Sequence, residues 1–287
     1  MKMDVSIIIV NYNTKQLTSD CISSIVEKTQ GISYEIILVD NASTDGSKEL
    51  FEKDARVTYL YSEKNGGFGY GNNMGMKVAR GKYFFLLNSD TLLVNNAIKE
   101  FYDYAENQKQ KRVYGCYLQN AEGRYVSYSF YFPAFSIKEF VKRFFCKNHD
   151  ETVDLQVKTV EAVSGADMFF DSEIYTKTNG FDENIFLYGE EGEWQYRIFQ
   201  AGYSCCIIPQ PQIIHFEGQS MKMSPAKTAI KWKSHFYILK KHMRYTTYLL
   251  ARIFYASNLT LRYFPHICDM RYKSFFKTLF SPIKLNQ

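Results

Sequence analysis

The chain has 287 residues, of which 46% are hydrophobic and 17% aromatic, and its formal net charge is +5. This composition excludes a disordered chain and allows a sizeable core, so we expect one large domain with an appendage. The six cysteines show neither the paired spacing of a zinc site nor the density of a disulfide-rich secreted domain, which indicates reduced thiols and a cytoplasmic protein.

The first ninety residues alternate between strand and helix patterns. Strand patterns cover residues 5–10 (VSIIIV), 35–40 (EIILVD), 56–62 (RVTYLYS) and 82–88 (KYFFLLN). Thr14 and Ser47 can each begin a helix, and a glycine-rich helical segment precedes the last of these strands. Single helices between strands predict an α/β fold with a mostly parallel central sheet, which binds ligands beyond the carboxyl ends of its strands.

The middle of the chain is less regular. Residues 113–118 and 125–130 predict antiparallel strands around a turn at 120–123, followed by a helix over 189–201 and a strand over 204–210. No stretch is long and apolar enough to span a membrane. The first apolar run is also too short for a secretory signal, so we expect no export.

Charge is distributed unevenly along the chain. After Gly218 there are thirteen basic residues and one acid, a net charge of +12, whereas the remainder carries −7. We therefore predict one domain over residues 1–218 and a basic helical extension over 219–287. On a helical projection Arg244, Arg252 and Arg262 lie opposite Leu250, Ile253, Phe254, Leu261 and Phe264.

This projection is typical of a helix that lies on a membrane surface. A helix packed on the rest of the protein, with a solvated basic face, has the same pattern and stays open as an alternative. We expect the extension to bind anionic lipid at the inner face of the cell membrane, and we expect no nucleic-acid partner.

Polar residues follow the predicted strands. They are Asn11 and Asn13 after the first strand, Asp40 after the second, Asp90 after the fourth, and His215 after the strand at 204–210. Each alone can be a helix or turn cap, but the strand ends of an open sheet share one edge. A carboxylate, an imidazole and a diphosphate can together hold Mn²⁺ or Mg²⁺, so Asp90 and His215 are candidate metal ligands.

Two further segments combine special residue types. Residues 65–75 (NGGFGYGNNMG) place glycines and asparagines at a strand-to-helix junction, where free backbone N–H groups can hold phosphate oxygens, although a structural turn is the alternative. Glu190, Glu191 and Glu193 lie at a predicted helix N-terminus among aromatic residues. The helix dipole favours acids there, but one of them can also act as a general base.

Taken in order, VSIIIVNYNT, LVDNASTDGS, NGGFGYGNNMG, LLNSDT, VSGADMFF and GFDENIFLYGEEGEWQYRIFQAGY resemble the sequence blocks of family 2 glycosyltransferases with the GT-A fold. Bacterial rhamnosyltransferase-type members are the closer likeness, and the match runs from Val5 to about Ser220. The resemblance implies inverting transfer of a sugar from a nucleoside-diphosphate donor to a hydroxyl of a saccharide or lipid-linked saccharide. It also implies a divalent cation, Mn²⁺ or Mg²⁺, and a role in making a bacterial surface polysaccharide such as O-antigen or capsule.

The resemblance also assigns residue roles. Glu191 takes the position of the catalytic base, where the family usually has Asp, and Glu193 is the reserve candidate. Asp90 and His215 take the metal positions, and Asn88 replaces the first acid of the family's Asp-X-Asp stretch. The residues implied in binding the nucleotide sugar are Asn11, Asn13, Asp40, Asn65, Gly67, Asn72, Asn88, Ser89, Gly165, Ala166, Asp167 and Glu190.

Two other functions stay open on the sequence. One is a non-catalytic nucleotide-sugar-binding scaffold of the same fold. It would explain why Asn88 and Glu191 differ from the residues that are most common at these positions of the family. A nucleotidyltransferase shares the sheet type, but it would normally have a basic phosphate-binding loop after the first strand, and this chain has none there.

Overall fold

The computed structural model describes residues 3–126, 128–136, 138–139, 153–216 and 224–283. The strands are β1 (Val5–Asn11), β2 (Tyr34–Asp40), β3 (Thr58–Tyr61), β4 (Tyr83–Asn88), β5 (Thr91–Leu93), β6 (Arg112–Cys116), β7 (Ser129–Phe130), β8 (Lys158–Val160), β9 (Ala162–Val163), β10 (Asp167–Asp171), β11 (Ser204–Ile208) and β12 (Ile213–His215). The helices are α1 (Lys15–Lys28), α2 (Ser47–Phe51), α3 (Phe68–Val78), α4 (Ala97–Glu106), α5 (Ser172–Thr178), α6 (Glu190–Gln200), α7 (Pro225–His242), α8 (Tyr245–Tyr263) and α9 (Lys273–Phe280).

Eight of these strands form the central sheet, in the order β3-β2-β1-β4-β10-β6-β11-β8. The first four are parallel to one another, and β6 is parallel to β11. β10 runs antiparallel between β4 and β6, and β8 runs antiparallel at the edge. The predicted α/β class, with a mostly parallel sheet flanked by helices, is confirmed.

Helices cover both faces of this sheet. Along β1, Ile7 and Ile9 join a core with α1 and α4 on one face, whereas Ile8 joins a core with α3, α5 and α6 on the other. A strand alternates its side chains between faces, so a strand covered on both sides must be apolar throughout. This is why the continuous run at residues 5–10 forms a central strand.

The predicted antiparallel pairing of residues 113–118 with 125–130 is limited to the residues next to the turn. The turn at residues 120–123 forms, and Val126 N–H donates to the Leu118 carbonyl, but only an isolated bridge joins Gln119 to Tyr125. β6 instead pairs with β10 on one edge and β11 on the other, and β7 pairs with β9. Because both edges of β6 are occupied inside the sheet, the segment after the turn has no free edge there to join.

The C-terminal helices α7, α8 and α9 pack on one another. Their shared core includes Phe236 and Leu239 of α7, Leu259 of α8 and Phe275 of α9, together with Ile185 from the preceding domain. The basic helical extension is thus present, while the predicted boundary at residues 218 and 219 lies outside the described residues. None of the helices in the described ranges is long and apolar enough to cross a membrane.

Candidate active site

The parallel register brings three predicted site residues to one sheet edge. Asn11 at the end of β1 lies opposite Asp40 of β2, and Val10 lies opposite Asn88 of β4. Thr14, just after β1, connects the edge further, because its hydroxyl donates to Asn11 Oδ1 (2.8 Å) and lies 3.1 Å from Ser89 Oγ. Thr14 precedes α1 as expected, but its side chain makes these contacts instead of capping the helix.

Asp90 and His215 meet at this edge, although 125 positions separate them in the sequence. Antiparallel pairing of β5 with β12 aligns Thr91 with His215. As a result, His215 Nε2 lies 3.3 Å from Asp90 Oδ1 and 3.4 Å from Asn88 Nδ2. Both side chains are buried.

This pair can supply part of a metal site. A carboxylate and an imidazole suit Mn²⁺ or Mg²⁺ when substrate phosphate oxygens and water provide the remaining ligands. Within the described ranges, no group of three or more His, Cys, Asp or Glu side chains could hold a metal ion. The residues present therefore fit a cation that is completed by its substrate, and they do not fit a cage made of protein ligands alone.

The loop after β2 is fixed by two of the predicted donor-binding residues. Asp40 is fully buried, and its carboxylate accepts hydrogen bonds from Ser43 N–H (2.8 Å) and from the Tyr59 hydroxyl (2.8 Å). Asn13, with a positive φ of 55°, accepts from Thr44 N–H at 2.7 Å. Tyr59 was not predicted here, since nothing in the sequence connects a strand tyrosine with the end of a neighbouring strand.

Asn41, directly after β2, is a further residue of this edge that was not predicted. Its amide donates to Asn65 Oδ1 and to the Gly67 carbonyl, both at 3.0 Å, and its Oδ1 accepts from Gly66 N–H. Asn65 in turn accepts from Gly67 N–H. The end of β2 is therefore bonded directly to the turn that starts α3.

The glycines of residues 65–75 serve close packing as well as the turn. A Cβ at Gly75 would lie 2.4 Å from Ile8 Cγ2, and one at Gly71 would lie 2.7 Å from Val10 Cγ1. These two glycines let α3 approach the sheet. Asn72 is buried, and its amide donates to the Phe68 carbonyl, so its side chain is used inside the helix.

Gly67 has a stricter requirement, which yields a stability prediction. Its φ is +90°, and a Cβ there would lie 1.8 Å from the Phe186 carbonyl oxygen. Gly67→Ala should lower the free energy of unfolding, measured by urea denaturation. The decrease should exceed the roughly 1–2 kcal/mol that a left-handed backbone conformation alone costs a residue with a Cβ. Gly123→Ala is the matched control, since Gly123 has φ +73° with no atom within 4 Å of the added Cβ. Equal losses in the two variants would contradict the predicted clash.

A short segment joins the sheet edge that carries Asp90 and His215 to Glu191. Asn88 N–H donates to the Ala166 carbonyl at 3.0 Å. A Cβ at the adjoining Gly165 would lie 3.4 Å from Glu191 Cβ and 3.6 Å from Phe68 Cε1. Gly165 and Ala166, both predicted to bind the donor, thus lie between the end of β4 and the proposed base.

Asp167 lies in a different environment from its two neighbours. Its side chain is fully buried, and Oδ2 accepts the Cys116 N–H at 2.6 Å. Burial raises the pKa of Asp167 to about 8, so the group is mostly neutral at pH 7. The structure therefore places this carboxyl below the surface of the crevice and not on it.

Glu190 and Glu191 form a pair of interacting carboxyls at the start of α6. Burial, followed by the neighbouring charge of Glu191, raises the pKa of Glu190 well above its usual value. Burial also raises the pKa of Glu191, while hydrogen bonds from backbone N–H groups and from Glu190 oppose the shift. Burial is the largest cause for both groups, and Glu190 is the more buried of the two, so the partly exposed Glu191 is the member better placed to accept a proton from a substrate.

Glu193, the reserve candidate for the base, has other partners. It is fully buried, with Lys241 Nζ at 2.8 Å, His242 Nε2 at 3.0 Å and Arg197 Nη2 at 2.9 Å. Although burial raises the pKa, hydrogen bonds from His242 and Arg197 and the charges of Arg197 and Lys241 bring the pKa of Glu193 to about 2. A carboxylate held in this way does not take up a proton near neutral pH.

The sequence comparison gives the family to which this α/β chain belongs. The model of glycosyl transferase family 2 matches residues 6–157, more than half of the chain. The chain belongs to this family.

Individual relatives match over shorter stretches. The glycosyltransferase GlyG of Streptococcus pneumoniae is 34% identical over 122 residues, which are 41% of this chain and 40% of that protein. The poly(ribitol-phosphate) beta-glucosyltransferase of Bacillus spizizenii is 34% identical over 113 residues, 37% of this chain and 18% of that protein. The chain thus spans less than half the length of these curated relatives.

Solved structures confirm the GT-A type of fold. The crystal structure of TarS from S. aureus superposes with a TM-score of 0.57 at 17% identity, covering 82% of this chain and 39% of that one. The structure of GalNAc-T7 with UDP, GalNAc and Mn²⁺ gives a TM-score of 0.59 at 15% identity, covering 83% and 48%.

Proposed function

We propose that this protein is an inverting glycosyltransferase that moves a sugar from a nucleoside-diphosphate donor to a hydroxyl of a saccharide or lipid-linked saccharide. The observation that carries the proposal is that Asp90 and His215 meet at one sheet edge and that a short segment connects this edge to Glu191. These residues come from the end of β4, from β12 and from α6, and the segment at Gly165 and Ala166 links them.

The reaction needs one base in this arrangement. The Glu191 carboxylate takes the proton of the acceptor hydroxyl, whose oxygen bonds to the anomeric carbon as the bond from that carbon to the diphosphate oxygen breaks. The nucleoside diphosphate leaves with the electron pair. A single displacement of this kind inverts the configuration at the anomeric carbon, in contrast to mechanisms that pass through a covalent glycosyl-enzyme intermediate.

Asp90 and His215 are the residues that would hold a divalent cation, Mn²⁺ or Mg²⁺, against the donor diphosphate. When bound, such a cation neutralises the negative charge that grows on the leaving group, so no separate acid is required. The solved GalNAc-T7 structure, of the same fold, contains UDP, GalNAc and Mn²⁺, which supports a divalent cation here.

The relatives support a role in making a bacterial surface polymer. One is a poly(ribitol-phosphate) beta-glucosyltransferase and another, from Staphylococcus aureus, a poly(ribitol-phosphate) beta-N-acetylglucosaminyltransferase that is 29% identical over 127 residues. We therefore place the acceptor among hydroxyl-bearing units of surface polysaccharides, with a hexosyl or deoxyhexosyl group as the sugar transferred.

A panel of nucleotide sugars tests the proposal. The protein is incubated with each donor, with and without Mn²⁺ or Mg²⁺, and release of nucleoside diphosphate is measured in the presence of candidate acceptors. Metal-dependent release that increases with acceptor is the expected result. Metal-dependent binding of a donor without any release would instead favour a non-catalytic scaffold, for which the departures at Asn88 and Glu191 are the argument.

We infer from the C-terminal helices that this reaction takes place at a membrane surface. Leu250, Ile253 and Leu261 on one side of α8, and Phe264 directly after it, are 60%, 64%, 77% and 61% exposed, while Tyr248, Ala256 and Leu259 pack inward. The region after Gly218 carries thirteen basic residues and one acid. An exposed apolar face within a strongly basic region fits the inner, cytoplasmic face of a membrane that contains anionic lipid.

One residue of the predicted basic face points elsewhere. Arg252 donates to the Tyr248 hydroxyl (2.6 Å) and to the carbonyls of Leu279 and Ser281, and its guanidinium lies 5.0 Å from the Phe236 ring centre. It therefore interacts with the C-terminal end of α9, where unpaired carbonyls attract a cation. The placement of Arg252 beside Arg244 and Arg262 on an outer face is wrong.

Vesicle sedimentation tests the membrane contact. The full chain should pellet with phosphatidylglycerol vesicles, and replacing both Leu250 and Ile253 by Ser should reduce the bound fraction severalfold, since about 1.5–3 kcal/mol is lost for each fully buried side chain. Replacing Leu155 and Val157, which are also exposed, by Ser is the matched control and should leave binding unchanged. Equal pelleting of both double variants would contradict the membrane contact. A dimer on analytical ultracentrifugation that is lost in the Leu250 and Ile253 double variant would also contradict it, because this face of α8 would then be a dimer interface.

A further inference from the structure

The loop before α6 leads into the first turn of that helix, which carries the proposed base, and this loop is held from two sides. Its backbone is unusual at the end, where Tyr188 has φ +71° and Gly189 has φ +92°. A non-glycine residue in the left-handed region is unfavourable, so this conformation depends on the contacts around it. These contacts come from α3 on one side and from α7 on the other.

The α3 side fixes the beginning of the loop. The Asn73 amide donates to the Phe181 carbonyl (3.0 Å) and to Glu183 Oε1 (2.9 Å), and its Oδ1 accepts from Phe181 N–H (3.0 Å). Gly67 lies directly against the Phe186 carbonyl. This side therefore connects the loop to the part of the crevice where donor binding is proposed.

The α7 side fixes the middle of the loop. The Ser234 hydroxyl donates to the Leu187 carbonyl at 2.8 Å, and Tyr237 Oη donates to Asp182 Oδ2 at 3.0 Å. Lys241 Nζ also lies 2.5 Å from Asp182 Oδ2. The C-terminal extension thus bonds to the loop on the N-terminal side of Glu191.

The same helix also bonds to α6 on the C-terminal side of Glu191. Glu193 is fully buried, and the partly exposed side chains of Arg197, Lys241 and His242 surround its carboxylate; we name these four residues the Glu193 cluster. Two of its members, Lys241 and His242, belong to α7, and the carboxylate they contact lies two residues after Glu191. A buried carboxylate that loses a partner is strongly destabilised, which makes the cluster a firm connection between α6 and α7.

We propose that α7 positions the catalytic base, with Lys241 and His242 acting as positioning residues through Glu193. Because α7 is bonded at Asp182 and Leu187 before the base and at Glu193 after it, it fixes the first turn of α6 and with it the direction of Glu191. The extension is accordingly part of the catalytic unit as well as the proposed membrane contact. This inference rests on the glycosyl transfer proposed above.

Hydrogen exchange on the full chain tests the positioning directly. Lys241→Met should speed amide exchange in residues 182–189 by at least about tenfold while leaving β1 and α3 unchanged, since the α7 side of the loop loses the ion pairs of Lys241 with Asp182 and Glu193. Lys233→Met is the matched control, because Lys233 is exposed on α7 and lies outside the cluster. Lys241→Arg should restore slow exchange, and His242→Gln gives a second variant if Lys241→Met does not fold.

Turnover provides the second measurement, with whichever nucleotide sugar the donor panel identifies. Lys241→Met should lower kcat about tenfold or more with little change in donor KM, and Lys241→Arg should recover most of the loss. Unchanged exchange in residues 182–189, or faster exchange with full kcat, overturns the positioning role. If the unaltered protein turns over no donor, the proposed function fails, and the exchange result alone then decides whether α7 holds the loop.

Discussion

Glu191→Gln should lower turnover by about 100-fold or more while leaving the affinity for the nucleotide sugar nearly unchanged. A general base acts on the chemical step, and its removal typically costs a factor of this size. Glutamine preserves the shape of the side chain beside Gly165 but cannot take up the proton. Steady-state kinetics and equilibrium donor binding on the same preparation separate the two effects.

Glu193→Gln is the decisive comparison for this prediction. It removes a charge from the Glu193 cluster and should reduce the free energy of unfolding, because Lys241 and Arg197 lose their buried partner. The Glu193→Gln protein that remains folded should retain more turnover than Glu191→Gln. If Glu193→Gln is inactive although stable, while Glu191→Gln keeps normal turnover, the base lies two residues further along the chain than we propose.

The pH profile provides an independent test of the same residue. Burial raises the pKa of Glu191, and a base is active only when deprotonated, so turnover should rise with pH across a range above that of an ordinary glutamate. Glu190→Gln retains a hydrogen-bond donor and should keep the profile close to that of the unaltered protein. Glu190→Ala removes the donor that favours the charged form of Glu191, so the rise should move to higher pH.

Asp90→Ala should abolish donor binding that is sensitive to EDTA, and His215→Ala should weaken it. Asp90 is the carboxylate of the pair, and hard divalent cations depend on such a ligand more than on an imidazole. Isothermal titration with the identified donor, in Mn²⁺ and in EDTA, measures the difference.

An exposed acid serves as the control for the metal prediction. Asp20→Ala on α1 should leave metal-dependent binding unchanged, because Asp20 lies on the outer side of that helix. Thermal unfolding should show that the Asp90 and His215 variants remain folded. Normal metal-dependent turnover by Asp90→Ala would remove the central part of the proposed site.

Much of the fold follows from local sequence alone. Continuous β-branched runs such as residues 5–10 can be stable only as strands covered on both sides, and single helices between them require parallel neighbours. Parallel strands then bring Asn11, Asp40 and Asn88 to one edge without further information. The order of motifs pointed to the glycosyltransferase family, which the family comparison confirms.

Other features depend on partners that are distant in the sequence. The direction of β10 was not predictable, since its burial between β4 and β6 is the same for either direction of the chain. Arg252 has the helical phase of an outer residue but turns toward the end of α9, which only the packing of three helices brings near. Asp167 is neutral because its surroundings exclude water, a property of the assembled core.

The choice between Glu191 and Glu193 shows most clearly what the sequence and the tertiary structure each determined. Residues two positions apart on a helix point in directions that differ by about 200°, so the sequence by itself determined that these acids face opposite sides of α6. It did not determine which side meets the crevice. The tertiary structure decided this, because α7 supplies Lys241 and His242 on the side of Glu193, and a buried carboxylate is stable only where such partners are present.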